Sequence, residues 1–295
     1  MRKVGIVGSG ALARAVNARL LEFAVPVLVW GPDEEEVAEC VRAGAAVAAT
    51  PAEVASRTQF IIVTAADGQQ SEQWHTGDHG VVQGMSDGRT VIDMTTVSPS
   101  LARKLARACE ESGGAYLDAP VSGGAVAART GNLVVMVGGP ETAYDQALPV
   151  LEPLSRVVVR VGENGSGAVA KLCNQVMCFV NLCGVCEGFA LGAKAGIDLR
   201  KLFGIVMAGA AQSWELDNMG PKILARDLST GYPVSTSQYD LSLVLDAARE
   251  LKVFLPATSI VQQLYHAVER LGDPALASQA LIRALETMSD IEVRG

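Results

Sequence analysis

Three stretches of this 295-residue chain gather residue types that can do chemistry together. Gly8-Ser9-Gly10-Ala11-Leu12-Ala13 follows an apolar run and opens a helical stretch. Gly8 allows a tight turn, Gly10 lets the backbone approach a pyrophosphate, and Ala13 permits close helix-sheet packing, so unpaired helix N–H groups face an anion. In Ser122-Gly123-Gly124, a hydroxyl and consecutive backbone N–H groups can form a second anion-binding concavity. Lys171 has Asn174 and Gln175 three and four residues further on, so all three project from one face of a helix. A polar row on an otherwise apolar helix needs partners and reads as facing a cleft. Leu172, Val176, Phe179, Cys183, Cys186 and Ala190 form a separate stripe that packs.

A lysine beside a dinucleotide site suggests alcohol oxidation. The hydroxyl proton must leave as hydride departs, and a lysine accepts it only as the neutral amine, a form that burial favours. In the reducing direction the ammonium donates instead.

Elements that could position these groups alternate in the first half. Strand-like runs at Val4 to Val7, Val25 to Trp30, Phe60 to Thr64, Thr90 to Asp93 and Ala115 to Asp118 are separated by helical stretches near 11–22, 34–43, 51–57 and 99–112. That alternation predicts an α/β fold, a Rossmann-type doubly wound, mostly parallel sheet. Leu133 to Val137 and Val157 to Val161 flank a helix at 141–151, and Gly162, Gly165 and Gly167 then mark a boundary. The expected domains are a dinucleotide-binding unit, 1–162, and an all-helical substrate and oligomerisation unit, 163–295. Helices are expected at 168–195, 198–208, 239–251, 255–271 and 275–289.

Composition narrows the partners. The net charge of -8, from 24 Lys and Arg against 32 Asp and Glu, disfavours nucleic acid and anionic membranes. Lys171, Asn174, Gln175, Asn181, Glu187 and Lys194 interrupt the 168–195 stretch too often for a membrane span. Six cysteines are too sparse for a disulfide scaffold, and Cys173, Cys178, Cys183 and Cys186 read as reduced core residues. Met1-Arg2-Lys3 runs straight into the first strand, so no secretory leader is expected and a cytoplasmic location is. No metal site is expected. His75 and His79 have helical spacing, but Gly77 and Gly80 point to a solvated loop there. Trp74 and Trp214 are as consistent with packing as with substrate walls.

The cofactor reading leans to NAD. After the second strand comes Trp30-Gly31-Pro32-Asp33, with no Arg or Lys near in sequence. Asp33 and Glu34 to Glu36 would repel the 2′-phosphate of NADP, although the same acids also suit a helix N-terminus. NADP is not excluded.

Asp118-Ala119-Pro120-Val121-Ser122-Gly123-Gly124, Gly131-Asn132-Leu133, Val137-Gly138-Gly139, and Gly165-x-Gly167 before Lys171-Leu172-Cys173-Asn174-Gln175 together resemble the β-hydroxyacid dehydrogenases. The resemblance covers nearly the whole chain. It implies that Ser122, Gly123 and Gly124 bind the substrate carboxylate, with Asn174, Gln175 and Asp240 also at the substrate, and that Lys171 is the catalytic acid/base. Gly8, Ser9, Gly10, Ala11, Leu12, Gly31, Ala65, Thr96 and Tyr239 fall at cofactor positions. The chain departs from the family at Tyr239-Asp240-Leu241, where Lys-Asp-Leu is usual, and at Ala65-Ala66, where Leu-Pro is usual.

The function expected is hydride transfer between a nicotinamide cofactor and a small 3-hydroxy acid or its semialdehyde, bound between domains of a homodimer or homotetramer. The alternatives are an imine reductase on a similar scaffold, which Lys171 argues against, and a non-catalytic nucleotide-binding module.

Overall fold

The computed structural model describes residues 3–295. Short β-branched runs with no polar face become strands buried on both sides, as parallel strands covered by helices must be. The strands are β1 (Val4–Val7), β2 (Val27–Trp30), β3 (Ala46–Val47), β4 (Phe60–Val63), β5 (Thr90–Asp93), β6 (Ala115–Asp118), β7 (Val121–Ser122), β8 (Leu133–Gly138) and β9 (Ser155–Gly162). They lie in the order β3-β2-β1-β4-β5-β6-β8-β7, with β9 paired to β8. β1 to β6 pair in parallel, and β8 runs antiparallel to β6 and β7. The doubly wound sheet is therefore as expected.

Side chains alternate between its two faces. Val4, Ile6, Phe60, Ile62 and Ile92 join one apolar core with helix α1 (Ala11–Glu22), whereas Val7, Leu28, Ile61, Val63 and Val91 join another with Trp74 and Tyr116. Helices α2 (Glu34–Arg42), α3 (Pro51–Arg57), α4 (Gly68–Thr76) and α5 (Pro99–Glu111) are each capped by a side chain, from Asp33, Thr50, Asp67 and Ser98 respectively. α1 begins at Gly10 and α6 (Gly124–Thr130) at Gly123, with no side-chain cap on either. α7 (Glu141–Leu151) completes the set.

Several elements depart from the sequence reading. The solvated loop expected at His75 to His79 holds only beyond Thr76, where His79 is exposed; His75 lies in the last turn of helix α4 and is fully buried, its Nδ1 2.7 Å from the Ser71 carbonyl oxygen. The Ser71 hydroxyl and the Tyr116 phenol both donate to Asp93 Oδ2, at 2.7 and 3.0 Å. That buried hydrogen-bonding offsets the weak helical pattern of the segment. Trp74 packs edge-on against Trp30, with centroids 5.4 Å apart. β3, β7 and α6 are too short to show a period.

The two compact units divide after Lys171, inside the long helix α8 (Ser166–Lys194), a few residues past the glycine cluster. The first turn of α8 belongs to the sheet because Asp118 holds it. The Asp118 carboxylate accepts from Gly165 N at 2.8 Å and Ala168 N at 2.9 Å. Burial raises its pKa above the usual carboxylate range, and those two N–H donors pull it back. Gly167 makes the approach possible: a methyl there would lie 2.3 Å from the Asp118 carbonyl oxygen and 2.5 Å from that of Met136.

The second unit, Leu172–Gly295, is all helical. Around α8 stand α9 (Leu199–Met207), α10 (Trp214–Leu224), α11 (Val234–Leu251), α12 (Pro256–Glu269) and α13 (Ile282–Ser289). Phe179, Cys183, Cys186, Phe189, Leu216, Leu241, Tyr265 and Ile282 share its core. Cys183 and Cys186 are thus core residues, but Cys173 is exposed and Cys178 half-buried, unlike the expectation for all four. α10, interrupted by Pro221, was not expected, and Trp214 at its start is exposed. Among the described residues α8 alone is long and apolar enough to cross a membrane by length and composition, and its inner face forms this core.

Gly167→Ala should force strand and helix apart. The expected cost is about 1–3 kcal/mol, read as a fall of several degrees in the thermal midpoint of the purified protein.

Candidate active site

The order β3-β2-β1-β4-β5 reverses between β1 and β4, where doubly wound sheets bind their ligands beyond the strand ends. Gly8 ends β1 there, with φ of 130° and its N–H on the Trp30 carbonyl at 2.8 Å. A Cβ on Gly8 would strike the Thr64 hydroxyl at 2.4 Å, whereas one on Gly10 would meet nothing within 4 Å. Gly10 and Ala11 are exposed, Leu12 half-buried and Ser9 buried. An open glycine turn before an uncapped helix fits a dinucleotide pyrophosphate, which would supply the missing acceptors.

The neighbouring loops are tied together by β5. Asp93 Oδ1 accepts from Thr95 N at 2.9 Å, and the Thr95 hydroxyl accepts from Ala65 N at 3.0 Å. Ala65 and half-buried Thr96 are thereby set side by side at the strand ends. Thr95, absent from the expected site, organises both. Gly31 lies against Ser9, since a Cβ there would come within 2.5 Å of its hydroxyl. Asp33 caps α2, accepting from Glu36 N at 2.9 Å, so the helix-capping alternative is the one observed. The expectation that no basic residue lies near is corrected: the Arg14 guanidinium reaches the Ser9 carbonyl at 3.1 Å and pairs with Glu36 and Glu39.

A second open turn follows β7. Gly123 and Gly124 have φ of 112° and 62°, in the left-handed region that glycine favours, and both are exposed beside half-buried Ser122. Lys171 is 7% exposed, and its Nζ donates to the Val121 carbonyl at 3.0 Å, one residue before Ser122. The amine and the glycine turn, fifty positions apart in sequence, are thus brought together within the first unit.

The remaining site residues lie in the second unit. Asn174 Nδ2 donates to Gln175 Oε1 at 2.9 Å, Gln175 Nε2 donates to Asp240 Oδ2, and the Tyr232 hydroxyl donates to the same oxygen at 2.8 Å. Asp240 is fully buried, and its Oδ2 accepts from both Gln175 and Tyr232. Tyr239 is half-buried beside it in α11. Tyr232 gave no sign in the sequence. Nor did Glu215, a buried carboxyl in α10 whose pKa burial raises to about 7.

A dinucleotide sheet whose switch point carries an open glycine turn is the architecture of a nicotinamide-dependent oxidoreductase. Residues 3–162 match the NAD binding domain of 6-phosphogluconate dehydrogenase, and residues 165–285 match the NAD-binding domain of NADP-dependent 3-hydroxyisobutyrate dehydrogenase. The 2-hydroxy-3-oxopropionate reductase of Escherichia coli is 33% identical over 98% of this chain and 98% of its own. The Mycobacterium tuberculosis 3-hydroxyisobutyrate dehydrogenase structure with L-serine superposes with a TM-score of 0.88 at 26% identity, covering 97% of this chain and 99% of that one. The chain belongs to the β-hydroxyacid dehydrogenase family and is an NAD(P)-dependent hydroxyacid oxidoreductase. An imine reductase of Streptomyces aurantiacus, at 22% identity and a TM-score of 0.65, shares the fold alone.

Glu215 gives the second unit a pH signature. Its folded pKa, about 7, lies above the ordinary 4.5, so its contribution to stability is full below about pH 4.5 and is lost as pH rises through about 7. Glu215→Gln should therefore match wild type near pH 5 and melt higher near pH 8, a difference on the order of 1–3 kcal/mol. Thermal midpoints across that range check it, and parallel curves for the two proteins would count against a neutral Glu215.

Proposed function

We propose that Lys171 is the general acid/base for oxidation of a short 3-hydroxy acid, or reduction of its semialdehyde, and that Ser122, Gly123 and Gly124 hold the substrate carboxylate. The observation that carries this reading is the bond from Lys171 Nζ to the Val121 carbonyl, which fixes a buried amine next to an open anion-binding turn. A substrate bound by its carboxylate at the turn presents its hydroxyl to the amine. In oxidation the hydroxyl proton passes to Nζ; in reduction Nζ returns it to the new alkoxide oxygen. A remaining N–H of the ammonium stays on the Val121 carbonyl, which keeps the side chain oriented in both protonation states.

Gly8, Ser9, Gly10, Ala11 and Leu12 would hold the cofactor pyrophosphate, and Gly31, Ala65 and Thr96 would flank the rest of it. The nicotinamide, when bound, supplies the two-electron hydride acceptor or donor. Asn174 orients the substrate oxygen, and Gln175 is held for that task by Asp240. The printed names of the relatives, a 2-hydroxy-3-oxopropionate reductase and a 3-hydroxyisobutyrate dehydrogenase among them, support a substrate of three or four carbons. A cytoplasmic location remains part of the same proposal. A panel of short 3-hydroxy acids with NAD and NADP should give turnover in the wild type. In Lys171→Ala, kcat should fall by about 10² to 10⁴ while NADH affinity changes by no more than a few-fold. Turnover of cyclic imines but no hydroxy acid would favour the imine reductase, and cofactor binding without any turnover would favour the non-catalytic module.

The chain is also proposed to pair through its helical unit. Met177 and Phe254 are exposed there, Phe254 at 95%, and line a groove of about 430 Å³ together with Val176, Val180 and Pro256. Large exposed apolar side chains gathered at one groove are the mark of an interface. Light scattering should give a dimer or tetramer for the wild type and a monomer for Phe254→Glu. A monomeric wild type would overturn the pairing.

A further inference from the structure

Doubly wound dinucleotide sites read the adenosine ribose with a carboxylate just past β2 when they take NAD, and with an arginine when they take NADP. Neither the end of β2 nor the residue after the turn is available for that task here. Gly31 has no side chain, and none can be added without striking Ser9. Asp33 is exposed, and its Oδ1 is turned to its own helix as the cap of α2. The carboxylate that does face the glycine turn is Glu36, in the first turn of α2. Its Oε2 accepts from the Ser9 hydroxyl at 3.1 Å and its Oε1 from Arg14 Nη1 at 2.5 Å. Ser9 is itself buried, so this bond ties Glu36 to the phosphate-binding backbone rather than to solvent.

The same contacts occupy the arginine. Arg14 is held by Glu36, by Glu39 through Nε at 3.1 Å, and by the Ser9 carbonyl. Its planar fork is the group suited to a 2′-phosphate, but two carboxylates already engage it. Glu34 and Glu35 add further negative charge to the first turn of α2, which a dianionic phosphate would have to approach.

We propose that Glu36 is the cofactor-discriminating residue of this enzyme: its carboxylate receives the adenosine ribose hydroxyls and at the same time withholds Arg14 from a 2′-phosphate, so the enzyme selects NAD(H). The assignment rests on the nicotinamide-dependent reading above and adds to it the residue that chooses between the two dinucleotides. It also makes the choice reversible by one substitution, because the phosphate-binding arginine is already in place.

Isothermal titration with NADH and with NADPH tests this without turnover. Wild type should bind NADH at least about tenfold tighter than NADPH, consistent with the loss of one charged hydrogen bond and the gain of a repulsion. Glu36→Gln should raise NADPH affinity by about tenfold or more and weaken NADH several-fold. Adding Arg14→Met to Glu36→Gln should abolish that gain. Arg14→Met alone should leave the wild-type preference within about threefold, a variant that keeps the test decisive if Glu36→Gln does not fold. A wild type that binds NADPH as tightly as NADH would overturn the proposal. So would a loss of NADPH binding in Arg14→Met alone, or an unchanged preference in folded Glu36→Gln. Failure of wild type to bind either dinucleotide would instead overturn the nicotinamide reading itself.

Discussion

The grip of a buried carboxylate on the start of a helix underlies the rest of the structure. Asp118 ends a parallel strand and accepts the Gly165 and Ala168 N–H groups, which are orphan donors of α8. Desolvating a carboxylate is costly unless such donors surround it, so the contact is favourable in one geometry and poor in its neighbours. Gly167 removes the steric obstacle to that geometry. Lys171 lies one turn further along the helix, and its reach to Val121 follows from where the first turn is pinned. The Lys171 amine, the proposed acid/base, is therefore positioned by Asp118 through the backbone of the helix.

Much of the sheet could be read in advance because its strands are uniformly apolar. Val4 to Val7, Thr90 to Asp93 and Ala115 to Asp118 begin and end where the runs of β-branched and aromatic residues do. α4 could not, because Gly68-Gln69-Gln70-Ser71 has no strong apolar period and glycines stand at both ends of the segment. It is tied to the sheet by the buried bond from the Ser71 hydroxyl to Asp93 on β5. α10 was hidden by Pro221, which sits inside the helix. Two-residue strands such as Val121–Ser122 exist only as partners of β8 and have no period of their own.

The site was readable where chemistry is local and opaque where it is assembled. The Gly8 to Leu12 turn and the Lys171, Asn174, Gln175 row declare themselves through spacing alone. Arg14 escaped notice because it lies on α1 and meets the acids of α2 only in space, 22 positions away. The bonds from Gln175 and Tyr232 to Asp240 join residues 65 and 8 positions apart, so the second partner leaves no mark in the spacing of the Lys171 row. Linear distance says nothing about which carboxylate is free and which is already engaged.

The uncapped first turn of α1 has a consequence for the life of the protein outside catalysis. Helices α2 to α5 carry their own caps, whereas α1 waits for an anion to complete it. A ligand that binds only the folded form adds to stability in proportion to the logarithm of its concentration. Resistance of this fold to unfolding is thereby linked to the concentration of dinucleotide around it.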